Sequence, residues 1–353
     1  MGGSEENRQE YTPRNNPVLM GHEAAEKILL DAWKNNSLHN SWLISGIEGI
    51  GKATLAYRFA RFLLQNNDSR KDANSLDVPE TSQTFRLVAN DSHPDLKILE
   101  RDFTETDRKK VLKAIKSGET MSDDEVKNLK KSTFIRVDDV RTINEFLSKR
   151  SSNDGWRVVI IDSIDDMNAA SANAVLKILE EPPHKTVMLL ISHNPGRLLP
   201  TIKSRCAKLN LLPLDETQLA GLIRRYRPGL AEKAIKDLTR ICSGSIGKAI
   251  SYADNNALET YEKLSVLAAA GKSFKLAELL AFCDQAAASE ENYCLTQELV
   301  LKFIAEKIKS GGNVEALAEN WEKAMKMFDE AERLNMDKKQ VMQNIIYNLC
   351  KIN

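Results

Sequence analysis

The sequence predicts an α/β module with a parallel sheet, followed by an all-α region. Two apolar runs, 157–162 and 186–191, lack alternation and are rich in β-branched and aliphatic residues, which is typical of strands buried on both faces. A glycine-rich loop at 46–51 lies between an apolar segment and an amphipathic one. No strand pattern follows Pro213. Because strands and helices alternate before that point, we expect a doubly wound sheet that binds ligands at the carboxyl ends of its strands.

The first elements follow from periodicity. Helical spacing covers 18–33, and the apolar strand 41–45 runs directly into the glycine loop. A helix is predicted at 53–64, with apolar residues on one face. The polar segment 66–83 is predicted to be a surface loop, and 95–99 a second strand.

The middle of the chain begins with an exposed insertion at 107–131, which is dense in charge, poor in large apolar residues and expected to contain some helix. The elements predicted after it are helices at 137–150 and 171–181 and strands at 157–162, 186–191 and 207–212. Prolines 182 and 183 end the helix at 171–181. Beyond them, the pattern predicts short helices at 215–226, 231–243 and 246–253, then longer amphipathic helices such as 265–280 and 298–310.

Composition excludes several classes of protein. The 353 residues suffice for two or three domains, and the net charge of +0 gives no attraction to nucleic acid at the level of the whole chain. Five widely spaced cysteines without a C-x-x-C pair argue against a zinc site and a disulfide framework, and fit a reducing cytoplasm. Residues 1–16 are polar and are predicted to be a disordered tail. No apolar run approaches the roughly 20 residues of a membrane span.

The glycine loop matches the phosphate-binding pattern G-x-x-x-x-G-K. Its glycines let successive amide groups point at phosphate oxygens, and Lys52 is expected to reach the β- and γ-phosphates. Ala53 stands where a Ser or Thr hydroxyl normally binds magnesium. The predicted nucleotide contacts are Gly46, Gly49, Gly51, Lys52, Ala53 and Thr54.

Asp162 ends a buried strand and is predicted to be the second magnesium contact, although a helix-capping role is the alternative. Ser163 follows it, where many hydrolysing proteins have a Glu that orients water. Either change, Ala53 or Ser163, could be tolerated alone. Together they predict that ATP or ADP is bound weakly or without efficient hydrolysis.

Three segments resemble bacterial clamp-loader subunits of the AAA+ family. They are D-S-I-D-D-M-N at 162–168, N-A-V-L-K-I-L-E-E-P-P at 173–183 and P-T-I-K-S-R-C at 200–206. The resemblance covers about 17–253, and the remainder fits only in being helical. It implies an AAA+ nucleotide-fold module at 17–212, a helical lid at 213–256 and a helical collar or oligomerisation domain at 257–353.

The resemblance also implies roles for single residues. Arg205 is expected to be an arginine finger that reaches ATP held by a neighbouring subunit, a contribution of about 10³–10⁵ in rate. Ser192 and Asn194 match a strand that positions water in active relatives. Lys248, in a lid motif at 244–248, replaces a phosphate-contacting arginine and loses its bidentate geometry. Residues 18–22 are expected near the adenine. Some relatives carry a four-cysteine zinc module, but 66–99 contains no cysteine, so no zinc site is predicted.

The resemblance therefore predicts a non-hydrolysing, stator-like subunit of the replicative clamp loader, which supplies Arg205 during loading of the sliding clamp onto primed DNA. Its expected partners are the motor ATPase subunits and the delta clamp-opening subunit, with clamp and DNA reached only through the assembly. As part of a DNA-directed DNA polymerase holoenzyme, a nucleotidyltransferase complex, it is not itself expected to polymerise DNA. Two alternatives remain: a motor ATPase in which Thr54 and Asp165 replace the missing groups, and an interaction scaffold without a role in ATP chemistry.

Overall fold

The structure, a computed structural model, describes residues 11–65, 73–118, 121–122, 125, 129–151, 154–311 and 313–352. The chain divides into two compact units. One comprises residues 1–218 and 244–247, and the other comprises 219–243 and 248–353.

A five-stranded parallel sheet forms the centre of the first unit. Its strands are β1 (Ser41–Ser45), β2 (Leu96–Glu100), β3 (Arg157–Asp162), β4 (Thr186–Ser192) and β5 (Ala207–Asn210). Their order across the sheet is β2-β3-β4-β1-β5, and every pairing is parallel.

Helices cover both faces of this sheet. They are α1 (Glu23–Lys34), α2 (Lys52–Gln65), α3 (Gln83–Ala89), α4 (Glu105–Ser117), α5 (Val137–Ser148), α6 (Ala169–Glu180) and the short α7 (Pro200–Lys203), with a 3₁₀ turn at Ile164–Asp166. Along β4, Val187, Leu189 and Ile191 pack into one core with α1, α2 and α3. Met188 and Leu190 pack into a second core with α5 and α6. This strand is apolar throughout because both of its faces are buried.

The carboxyl ends of the five strands meet at one edge of the sheet. Glu100 is paired with Asp162, and Ser45 is paired with both Ser192 and Asn210. The glycine loop joins β1 to α2 at this edge. Topology therefore brings the loop, Asp162 and the end of β4 together.

The segment 11–17 is attached to α2 by two buried arginines. Arg61 donates hydrogen bonds to the carbonyl oxygens of Arg14 and Asn16, both at 2.7 Å. Arg58 donates to the Pro17 carbonyl and forms an ion pair with Glu26 at 2.7 Å. The predicted disordered tail spans 1–16. Within it, 11–16 belong to the segment attached to α2, and 1–10 lie outside the described residues.

Only helices follow β5 in the described part of the chain. They are α8 (Glu216–Tyr226), α9 (Glu232–Ile241), α10 (Ile246–Asp254), α11 (Ala257–Ala269), α12 (Leu276–Ala286), α13 (Glu290–Lys309), α14 (Val314–Leu334) and α15 (Lys338–Ile352). In the second unit α13 packs on α14, and α14 packs on α15. Buried Tyr261 donates to Glu306 at 2.7 Å, and Arg240 pairs with the same carboxylate at 3.0 Å.

The predicted fold class, an α/β parallel-sheet module followed by an all-α region, is confirmed. One predicted helix, 265–280, is wrong, because α11 ends at Ala269 and Gly271, with φ 54°, separates it from α12. The first helix begins at Glu23 and not at 18, since Gly21 has φ 80°, which no helical residue adopts. The predicted loop 66–83 is non-helical at 73–82, and its residues 66–72 lie outside the described residues. Helix α3, which begins where this loop ends, was not predicted.

Among the described helices, none combines the length and the apolar character that crossing a membrane requires.

Candidate nucleotide site and arginine loop

The glycine loop has the backbone conformation of a phosphate cradle. Gly46, Gly49 and Gly51 have φ values of 148°, 76° and 109°, in a region that other residues rarely adopt. A Cβ atom on Gly49 would lie 2.4 Å from Ser245 Oγ. Within the described part of the chain, the amide groups of 49–52 donate no hydrogen bond. Such a curled row of free amides fits an anion.

Lys52 is the first residue of α2 and lies almost entirely inside the loop, with 3% of its surface exposed. Its Nζ donates to the carbonyl oxygens of Gly46 at 2.7 Å and Ile47 at 2.6 Å. Burial lowers the pKa of Lys52 to about 8, and the nearby carboxylate of Asp162 opposes this shift. The lysine is therefore mostly cationic at neutral pH. Its ammonium group has three N–H donors, of which these two bonds use two, so one remains for a phosphate oxygen.

Two residues of the motif at 244–248 bind the backbone of the glycine loop. Ser245 Oγ donates to the Glu48 carbonyl at 2.8 Å, and the Gly247 amide donates to the Gly49 carbonyl at 2.8 Å. Both residues belong to the first unit with the loop. The motif therefore holds the glycine loop through the carbonyl oxygens of Glu48 and Gly49.

The segment 18–22 also contacts the loop. A ring nitrogen of His22 lies 2.7 Å from the Ile50 carbonyl oxygen, and His22 is buried. The segment therefore lies beside the glycine loop, and its expected position near the adenine stays a prediction.

Asp162 ends β3 at the carboxyl edge, and burial raises the pKa of its carboxyl group. The following Ser163 is buried and donates to Asp166 at 3.1 Å. A neutral serine hydroxyl is far too weak a base to take a proton from water, so the position after Asp162 supplies no general base.

Asp165 is the carboxylate that could replace the water-orienting Glu absent at position 163. In the structure it accepts hydrogen bonds from the end of β4. It accepts hydrogen bonds from Ser192 Oγ at 3.0 Å, the His193 amide at 2.6 Å and the Asn194 amide at 3.2 Å. These bonds connect the 3₁₀ turn after β3 to the end of β4. Asp165 therefore holds the end of β4, where Ser192 and Asn194 lie, and each of its carboxylate oxygens accepts at least one hydrogen bond.

Arg205 follows α7, on the loop before β5. Its Nη2 donates to Glu180 Oε1 at 2.6 Å and its Nη1 to the Thr201 carbonyl at 3.0 Å. The side chain is 35% exposed, whereas Cys206 is buried. Glu180 was not predicted to be a functional residue, although it lies in the motif at 173–183. It holds a guanidinium that still faces solvent.

The remaining predicted residues differ in their placement. Thr54 is buried on α2, and Ala53 offers no oxygen for a cation. Lys248 belongs to the second unit, where it pairs with Glu298 at 3.2 Å. Among the described residues, no group of three or more His, Cys, Asp or Glu side chains is arranged to hold a metal ion.

Comparisons with known proteins place the chain in a family. The family model described as "DNA polymerase III, delta subunit" matches residues 21–215, more than half of the 353 residues. DNA polymerase III subunit delta' of Pseudomonas aeruginosa is 33% identical over 207 residues, which are 58% of this chain and 53% of that protein. The Escherichia coli delta' subunit is 28% identical over 214 residues, 60% of this chain and 54% of that one.

The chain thus spans about half the length of the delta' relatives it matches. Among solved structures, a DNA polymerase III gamma subunit-related protein from Thermotoga maritima is 19% identical, with a TM-score of 0.45 over 92% of this chain and 99% of that chain. The range matched by the family model includes the motifs at 162–168, 173–183 and 200–206. The chain belongs to the DNA polymerase III delta-prime family.

Proposed function

We propose that this chain is a non-hydrolysing subunit of a replicative clamp loader and that it supplies Arg205 to ATP bound by a neighbouring subunit. The observation that carries the proposal is the commitment of Asp165 to Ser192, His193 and Asn194. Ser163 has only a neutral hydroxyl where a carboxylate would orient water, and Asp165 already accepts three hydrogen bonds that hold it against the end of β4.

Nucleotide binding is a separate part of the proposal. The free amides of the glycine loop and the cationic Lys52 support a weak ATP or ADP site. Without the hydroxyl that Ala53 lacks, magnesium loses one ligand there. Asn194 is proposed as a further contact, and Asp162 as the remaining magnesium contact.

Arg205 has the properties that a finger in trans requires. Its loop is anchored by buried Cys206 on one side and by α7 on the other, and Glu180 limits the motion of the guanidinium. Because the side chain is partly exposed, a second molecule can approach it. A preorganised guanidinium costs little reorganisation when charge develops on a γ-phosphate.

The wider setting follows the relatives. Proteins named delta' and tau/gamma of DNA polymerase III match this chain, and we propose motor ATPase subunits and the delta subunit as its partners in the cytoplasm. The sliding clamp and primed DNA are proposed to be reached within that assembly. The division into a module at 17–212, a lid at 213–256 and a collar at 257–353 is part of the same proposal.

Steady-state ATP hydrolysis by the isolated chain tests the non-hydrolysing role. We expect a rate at background for both the natural chain and Lys52→Ala. Turnover comparable to the 1–100 s⁻¹ typical of phosphoryl-transfer kinases, abolished by Lys52→Ala, would establish the motor alternative. Nothing in the contacts of Thr54 or Asp165 favours that alternative.

The arginine role is tested in the reconstituted loader with Arg205→Ala. A scaffold without a role in ATP chemistry predicts an unchanged DNA-stimulated ATPase, and a loss of at least about tenfold rules it out. The two experiments test separate parts of the proposal. Hydrolysis by the isolated chain concerns its own nucleotide site, and Arg205→Ala concerns the ATP site of a neighbouring subunit.

A further inference from the structure

A second polar cavity lies at the opposite edge of the sheet. It has a volume of about 460 Å³ and lies where β3 and β4 begin, with Arg157 and Lys185 in its lining. Arg157 and Asp162 are the two ends of β3, so about 16 Å of strand separates this cavity from the glycine loop at 3.3 Å per residue. The cavity is therefore distinct from the candidate nucleotide site.

Arg157 is the buried charge at the base of this cavity. Only 8% of its surface is exposed, and its Nη1 donates to the carbonyl oxygens of Leu147 and Lys149, both at 2.6 Å. Among the described residues, Nε and Nη2 have no partner, and no carboxylate pairs with this guanidinium. A desolvated guanidinium with spare donors, held rigidly by two carbonyls, is prepared for an anion.

Further cations surround Arg157. Lys149, Arg150 and Lys185 line the same cavity, against the single carboxylate of Asp154. Lys149 and Arg150 are exposed and make no ion pair within the described part of the chain. The chain as a whole has net charge +0, so this excess of positive charge is local.

The lining also indicates the chemistry of the ligand. Leu147 is the one aliphatic side chain among the described lining residues, and it is mostly buried. Peptides usually bind with aromatic or aliphatic anchors, and the described lining offers such an anchor little apolar surface besides Leu147. Adjacent cations around a fixed guanidinium instead suit the closely spaced phosphates of a nucleic-acid backbone.

We propose that this cavity binds the phosphate backbone of a nucleic acid without reading its sequence. Arg157 receives one phosphate, and Lys149, Arg150 and Lys185 contact its neighbours. With so few contacts and no long-range attraction, binding by the isolated chain is weak, on the order of the 10⁻⁴–10⁻⁶ M typical of non-specific binding. The site therefore adds a contact to an assembly that already holds nucleic acid.

The test is fluorescence anisotropy of a labelled single-stranded oligonucleotide with the full chain over a series of low salt concentrations. The double variant Lys149→Gln, Arg150→Gln removes two exposed cations, and Lys177→Gln, Lys208→Gln is the control with the same change in charge elsewhere on the first unit. We expect the first pair to weaken binding about tenfold and to reduce the slope of log K against log salt by about 1.4, since each single-strand contact contributes roughly 0.7. The control pair is expected to change affinity less than about twofold.

Equal losses in both double variants would show that only net charge matters and would overturn the proposal. So would binding of a polyglutamate peptide but not of the oligonucleotide, or binding of pyrophosphate alone. Arg205→Ala is expected to leave oligonucleotide binding unchanged, so this result is independent of the proposed role in ATP hydrolysis. Urea unfolding of each variant checks that the fold is retained.

Discussion

Replacing Asp165 with alanine separates a structural carboxylate from a catalytic one. The change removes the acceptor of three hydrogen bonds, from Ser192 Oγ, the His193 amide and the Asn194 amide. Ser192 is 0% exposed, so its hydroxyl is left buried without this partner, at a cost of about 1–3 kcal/mol. His193 and Asn194 are exposed, and water partly replaces their lost acceptor. We therefore expect the free energy of unfolding to fall by about 2–4 kcal/mol.

Urea unfolding followed by tryptophan fluorescence measures this change, because Trp33, Trp42 and Trp156 all lie in the first unit. With a slope of about 2 kcal/mol per M, in the middle of the usual range for urea, the expected midpoint falls by roughly 1–2 M.

The control for this experiment is Asp138→Ala, which breaks an exposed pair with Arg141 and is expected to cost less than about 0.5 kcal/mol. Asp165→Asn keeps one carbonyl acceptor and should lose less stability than Asp165→Ala. A midpoint for Asp165→Ala within error of the unchanged chain would refute the structural role. Loss of a measurable ATPase at unchanged stability would make Asp165 a general base.

The other predictions concern single residues. Glu180→Gln weakens the bond that orients Arg205, so the reconstituted loader is expected to hydrolyse ATP about three- to tenfold more slowly, while Glu181→Gln on the adjacent residue leaves the rate within about twofold. The depressed pKa of Lys52 means that its charge is lost as pH rises through about 8, so ATP affinity, measured by calorimetry, is expected to fall by up to about tenfold between about pH 7 and pH 9; Lys52→Ala should show no such decrease. Ala53→Ser restores a magnesium ligand and is expected to strengthen magnesium-dependent ATP binding without raising hydrolysis above background, whereas a clear rise would locate the catalytic defect in that hydroxyl alone.

Much of the sheet could be predicted because its strands are buried on both faces. The predicted strand 157–162 has the same bounds as β3, and the predicted strand 186–191 is one residue shorter than β4. Helices were harder where glycine conformation decides the boundary, as at Gly21 and Gly271. Local periodicity does not report the positive φ of a glycine, which tertiary packing selects.

The phosphate-binding motif of the candidate site could be predicted from the sequence, but the hydrogen-bond partners of its side chains could not. The frame around Lys52 indicates phosphate binding because glycine spacing and a following helix are local features. The commitment of Asp165 to the end of β4 is a contact over 27 residues or more, and the pairing of Arg205 with Glu180 spans 25. Such pairings depend on sheet order, which sequence spacing does not give. Arg157 likewise reads as an ordinary strand residue until its position at the amino edge is known.

Hydrolysis of ATP by a reconstituted clamp loader containing Arg205→Ala tests the central proposal most directly. Arg141→Ala, which removes another exposed arginine paired with a carboxylate, is the matched control. We predict that Arg205→Ala lowers DNA-stimulated hydrolysis at least about tenfold with subunit assembly intact, and that Arg141→Ala stays within about twofold. An unchanged rate with Arg205→Ala in a fully assembled complex would contradict the proposal.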